Sequence, residues 1–143
     1  MSQVRPVQRG SPAGLTAVVA GIVSSLPKNR VSAPSGAWHW AFLQLRERHK
    51  DRFPELGQLE FLRSPGSWPV SERLERIFQV VDMAGGGSTL NPALVVRQFD
   101  KSQKQKLKAV LASRLGGRQA AIAALGRELQ ELLDSAPART PNP

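Results

Sequence analysis

Residues 67–92, SWPVSERLERIFQVVDMAGGGSTLNP, constrain the fold more than any other stretch of the chain. Ser71 stands where an N-cap belongs, because its side-chain oxygen can accept an otherwise orphaned N–H of the first helical turn. Leu74, Ile77, Phe78 and Val81 then recur at i, i+3, i+4 and i+7, the stripe of an amphipathic helix. Gly85 is the natural stop for that helix, and Asn91-Pro92 turn the chain beyond it. A helix with one apolar stripe must lay that stripe on something. Ser71, Leu74, Phe78, Asn91 and Pro92 are therefore expected to be structural.

The same reading extends in both directions. Ser11-Pro12 caps and starts a helix whose Leu15, Val18, Val19, Ile22 and Leu26 share a face, and Pro27 ends it. Ser35 is a second cap, before a helix with Trp38, Ala41, Phe42 and Leu45 inward, broken at Phe53-Pro54. QLEFL (58–62) and ALVVRQF (93–99) read as two strands that could pair. Asp100 or Ser102 caps a fourth helix with the stripe Leu107, Val110, Leu111 and Leu115. Gly116-Gly117 separate it from a last helix, where Ile122, Leu125, Leu129 and Leu132 form a narrow seam. The expected fold is mainly α (α+β): about five helices and a short two-stranded antiparallel sheet, in a winged-helix-like order. Residues 11–134 make one compact helical domain, between a disordered basic head (1–10) and a disordered proline-rich tail (135–143).

Several classes of function are excluded early. The chain has no cysteine, hence no disulfide, thiolate metal site or cysteine nucleophile, as suits a reducing compartment. The longest apolar run, Leu15 to Val23, is about half a membrane span. Arg5 and Arg9 precede it and Val31-Ser32-Ala33 resembles a cleavage site, but Lys28 and Arg30 lie where secretory signals avoid charge, so a cytoplasmic protein without membrane contact is expected. His39 and His49, the only histidines, would project about 80° apart on one helix and about 15 Å along it, which prevents a shared metal. No carboxylate pair or triad-like set accompanies them. Neither a catalytic residue, a metal site nor a cofactor is expected, and the chain reads as a non-enzyme.

What remains is binding. Net charge is +9, and seven basic residues between Arg97 and Arg118 face the single acid Asp100, so six of the nine net charges fall in 22 residues. Lys101, Lys104 and Lys108 share one side of the fourth helix, Arg97 arrives from the preceding strand and Arg118 starts the next helix. These five could follow a phosphate backbone. The Ser71 helix suits DNA less, since Glu72, Glu75 and Asp82 outnumber Arg73 and Arg76 on its outer face. Trp40, off the buried stripe of its helix, together with Arg73 and Arg76, forms the candidate contact set for a protein partner. The 118–134 seam could pack within the chain or between two copies, leaving a monomer or a homodimer; two heptads are short for a stable coiled coil, which favours internal packing.

The segment LEFLRSPGSWPVSERLERIFQVVDMAGGGSTLNP, with its QLEF strand, Pro69, Ser71, Leu74 and Asn91-Pro92, resembles the middle of small bacterial proteins around the Panacea, SocA-like, antitoxin domain. The basic fourth helix and the Gly116-Gly117 break lie outside that resemblance. It implies a compact helical adaptor or antitoxin-like protein, bacterial or phage, that binds another protein such as a cognate toxin. The alternative is a winged-helix-like protein that binds nucleic acid through the basic helix 101–115.

Overall fold

The computed structural model describes residues 12–64, 66–85, 87, 88 and 95–136. Asn91, Pro92, the 1–10 head and all of the tail except Ser135 and Ala136 lie outside them. In chain order the elements are α1 (Pro12–Ser24), β1 (Arg30–Ala33), α2 (Ser35–His49), α3 (Glu72–Gly85), β2 (Gly87–Ser88), β3 (Val95–Gln98), α4 (Lys101–Leu115) and α5 (Gln119–Asp134). Short 3-10 turns at Pro54–Gln58 and Gly116–Arg118 follow α2 and α4. The protein is mainly α with one small antiparallel sheet.

α1 is the central helix. Leu15, Ala17, Val18, Val19, Ala20, Ile22 and Val23 are all buried, more than one face of a helix can hold, and α3, α4 and α5 all pack on it. Its crossing with α5 is unusually close. A Cβ on Gly126 would lie 2.5 Å from Ser25 Cβ and 2.7 Å from the Ser25 carbonyl atoms, and one on Gly21 would lie 3.0 Å from both Ile122 Cγ2 and Leu115 Cδ1. The α5 seam Ile122, Leu125, Leu129 and Leu132 is buried inside the same chain.

α2 and α3 meet through aromatic rings instead. Phe78 of α3 stands edge-on to Trp38 at 6.1 Å and to Phe42 at 5.6 Å, a favoured geometry for ring pairs. α3 starts as its sequence directs, with the buried Ser71 hydroxyl accepting Leu74 N–H at 3.1 Å.

The sheet differs from the expected pairing. Its strand order is β1-β3-β2, with Val31 opposite Arg97 and Ser88 opposite Arg97 on the other side. Both edges of β3 are thus occupied, and QLEFL has none to join. Its residues instead finish the 3-10 turn and make one isolated bridge, Leu62 to Val70. RVSA, a four-residue strand with only Val31 and Ala33 turned inward, takes the place foreseen for QLEFL.

Two helix starts and one stripe are also corrected. Ser35 is the first residue of α2 after Pro34 and caps nothing. Asp100, not Ser102, caps α4, accepting the N–H groups of Ser102 and Gln103 at 3.2 and 3.3 Å. On α4 Leu111 and Leu115 are buried, Leu107 is half-buried and Val110 is 61% exposed. Residues 50–71 separate α2 from α3, where a helix-turn-helix has a turn of about 3–4 residues. The winged-helix likeness is one of element order alone.

Candidate functional site

The five basic candidates do not form one surface. Arg97 points inward between Val95 and Phe99, and its guanidinium lies 4.0 Å from the Phe78 ring centre and 4.5 Å from that of Trp38. It is a buried cation held on two aromatic faces. Lys104 is buried as well, its ammonium donating to the carbonyls of Leu26 and Lys28 and to Asn29 Oδ1 just past the end of α1. Lys104 thus ties α4 to the loop that follows α1, near the negative end of that helix's dipole. Burial, with the nearby Lys108 charge adding to it, lowers the Lys104 pKa below its ordinary value.

Arg118 makes a two-pronged ion pair with the buried carboxylate of Glu55, Nη1 to Oε1 at 3.1 Å and Nη2 to Oε2 at 2.9 Å. Burial alone would raise the Glu55 pKa, but the Arg118 hydrogen bonds, a backbone hydrogen bond and the Arg118 charge together lower it. The fork ties the turn after α2 to the α4–α5 junction. Lys101 and Lys108 remain exposed, as do Lys106 and Arg114 on the same helix, which contains no acid.

The protein-contact candidates lie around the α3 N-terminus. Arg76 is exposed; Arg73 is half-buried and donates to Gln58 Oε1 at 3.3 Å. Both border a groove of about 370 Å³ whose other walls include Phe61, Leu62, Val70 and Glu72. Leu62 is 71% and Val70 45% exposed, and they sit side by side because their backbones bond each other at 2.8 and 3.0 Å. Glu60 and Phe61 also border a second groove, about 420 Å³, with Arg46 and Arg63 on its rim. Trp40 is half-buried against the core and lines neither groove. Trp68 lies over the start of α2, so close to Gly36 that a Cβ there would sit 2.0 Å from the indole Cγ.

His39 organises this corner from within. Its Nδ1 accepts the Ser71 N–H at 3.0 Å, which assigns the ring proton to Nε2, and Nε2–H donates to Glu75 at 2.8 Å. Burial lowers its pKa, the Glu75 hydrogen bond and charge oppose that, and Arg97 adds to the lowering. His49 and Arg48 both grip Glu128 of α5 at 2.8 Å. For Glu128, burial is outweighed by these two partners and the pKa falls. Each histidine thus joins two helices.

Sequence reading missed the Leu62–Val70 pair, because exposure of these two depends on QLEFL finding no strand partner. It also missed His39, although His39 follows the buried Trp38 and could have been read as facing α3. Among the described residues no group of three or more His, Asp or Glu side chains could hold a metal ion. Among them, too, no helix is long and apolar enough to cross a membrane. Compared with known proteins, the chain matches no family model, no curated protein and no solved structure.

Proposed function

We propose that this protein is a small non-enzymatic interaction module, and that a partner protein docks on the groove between residues 58–62 and the start of α3. The observation that carries the reading is the pairing of exposed Leu62 and Val70 beside Arg73 and Arg76. Apolar side chains held open on a fixed backbone, with Arg73 and Arg76 and the acids Glu60 and Glu72 around them, are the usual makings of a protein contact. The antitoxin-like resemblance fits the same reading, with a cognate toxin as the partner and the cytoplasm, suggested by the cysteine-free sequence, as the compartment. Trp40, half-buried against the core, borders neither groove and is left out of this surface.

Binding of nucleic acid is the second reading, favoured by the acid-free α4 with Lys101, Lys106, Lys108 and Arg114 outward. Arg97 and Lys104, both buried, and Arg118, held by the Glu55 carboxylate, weaken it. The test sets the two surfaces against each other. Leu62→Asp with Arg76→Glu should abolish capture of the partner taken by the native chain, whereas Lys101→Ala with Lys108→Ala should leave it intact. Duplex and single-stranded oligonucleotides should show no saturable binding at about 50 mM salt. Oligonucleotide binding that disappears in the lysine variant would replace the adaptor reading with the nucleic-acid one.

A further inference from the structure

α1, α4 and α5 leave a cleft of about 300 Å³ between them, on a different part of the molecule from the proposed docking groove. Its apolar wall comes from Leu111 and Leu115 of α4, Ile122 and Ala123 of α5, and the bare backbone of Gly21. Gly21 shapes this wall, since a Cβ there would already press on Ile122 and Leu115. One charged side chain lines the cleft, the exposed Lys108, and no acid does. Among the described residues Lys108 has no ion-pair partner. The ends of α1 and α4 (Ser24, Leu115) and the start of α5 (Gln119) all border the cleft, so dipoles of both signs meet there and the charge of the lining is that of Lys108. An apolar slot whose one charged lining side chain is an unpaired lysine is complementary to an anion with an apolar tail.

From this cleft we infer that the protein binds a small amphiphilic carboxylate, with its tail between Leu111, Leu115 and Ile122 and its head on Lys108. The volume, at the lower end for ligand sites, sets the size. It corresponds to roughly ten water volumes and so to a tail of about six to ten carbons. A free alcohol of the same length would fill the slot but leave Lys108 unanswered. An alkylamine would bring a like charge to it. The Ser24 hydroxyl already donates to the Gly21 carbonyl at 3.1 Å and the Gln119 amide to the Ala112 carbonyl at 2.9 Å, and of the remaining polar side chains in the lining, Ser25 and Lys108, only Lys108 carries the charge that answers a carboxylate.

The experiment titrates the full chain with octanoate, octanol and octylamine, following the methyl resonances of Leu111, Leu115 and Ile122. Octanoate should shift them saturably below about 10 mM, about tenfold more tightly than octanol, with octylamine weakest, the tenfold reflecting one charge-assisted contact. Lys108→Gln should remove that preference and keep the fold, and Lys101→Gln, exposed on the same helix, should change nothing. Ala123→Leu, which fills the slot, should weaken octanoate and octanol together. Equal binding of octanoate and octanol by the native chain, an octanoate affinity unmoved by Lys108→Gln, or no saturable shift up to that concentration would each overturn the inference.

Discussion

Two joints hold this molecule together, and they are built on opposite principles. Where α1 crosses α5 the contact is dry and backbone-close: Gly21 and Gly126 let the helices approach until a single added methyl group would collide. Where α2 meets α3 the contact is wide and mixed, with Phe78 set edge-on to Trp38 and Phe42, Arg97 laid over two of the rings, and His39 bonded to Ser71 and Glu75. The dry joint depends on volume alone. The mixed joint depends on rings, a buried cation and a protonation state, and it is the one that positions Arg73, Arg76 and the proposed docking groove. Changes of size should therefore test both joints, and changes of pH only the second.

The largest effect is expected at Phe78. Replacing it with alanine removes the ring that Trp38, Phe42 and His39 all abut and that Arg97 covers. A cost of about 3–5 kcal/mol is expected, a large share of the stability of a domain this small. Urea denaturation measures it, and a midpoint equal to that of the native chain would refute the packing around Phe78.

At the dry joint, Gly126→Ala should cost about 1–3 kcal/mol, the usual penalty for an overfilled contact. Alanine favours a helix over glycine by up to about 1 kcal/mol, so the measured loss should fall at the lower end of that range. The neighbours in the way include Ser25 backbone atoms at 2.7 Å, which cannot rotate aside. A stabilised Gly126→Ala would mean that α1 and α5 separate freely, and the contrast between the joints would fail.

The sequence carried these elements unequally. All five helices could be read from local pattern, since the Ser71 cap, Pro12 and the Phe78 stripe obey rules that act within a turn or two, although Ser35 caps nothing and Val110 left the α4 stripe. The roles of the basic residues were also within reach, but only through geometry. Arg97 alternates with Val95 and Phe99, which places it on the inner face of a strand, and Lys104 lies seven residues before Leu111, on the buried side of α4. Read as charges they suggested a surface; read as positions they belong inside. The exposed Leu62 and Val70 could not be foreseen in the same way. Their exposure follows from β1 and β2 occupying both edges of β3, a competition between segments far apart in the chain.

The mixed joint should register acidity through His39. In the folded chain the ring is neutral, with Nδ1 taken by the Ser71 N–H, so a second proton would have to face a donor in a buried site beside Arg97. Its folded pKa accordingly lies below the ordinary 6.5 of the unfolded chain. Between those two values the unfolded state binds a proton that the folded state does not, so stability rises with pH there. The contribution is complete above about pH 6.5 and is lost as pH falls below it toward the folded value. One such proton gives a slope of at most about 1.4 kcal/mol per pH unit. Glu55 and Glu128 also have lowered values, but their losses begin only below the ordinary carboxylate value of 4.5. The window from about pH 6.5 down to 5 therefore separates His39 from them. Urea denaturation across that window should show falling stability in the native chain and a flatter profile in His39→Gln, whose amide can donate to Glu75 and accept from Ser71 without titrating. Identical slopes in the two proteins would show that His39 does not couple the α2–α3 joint to pH.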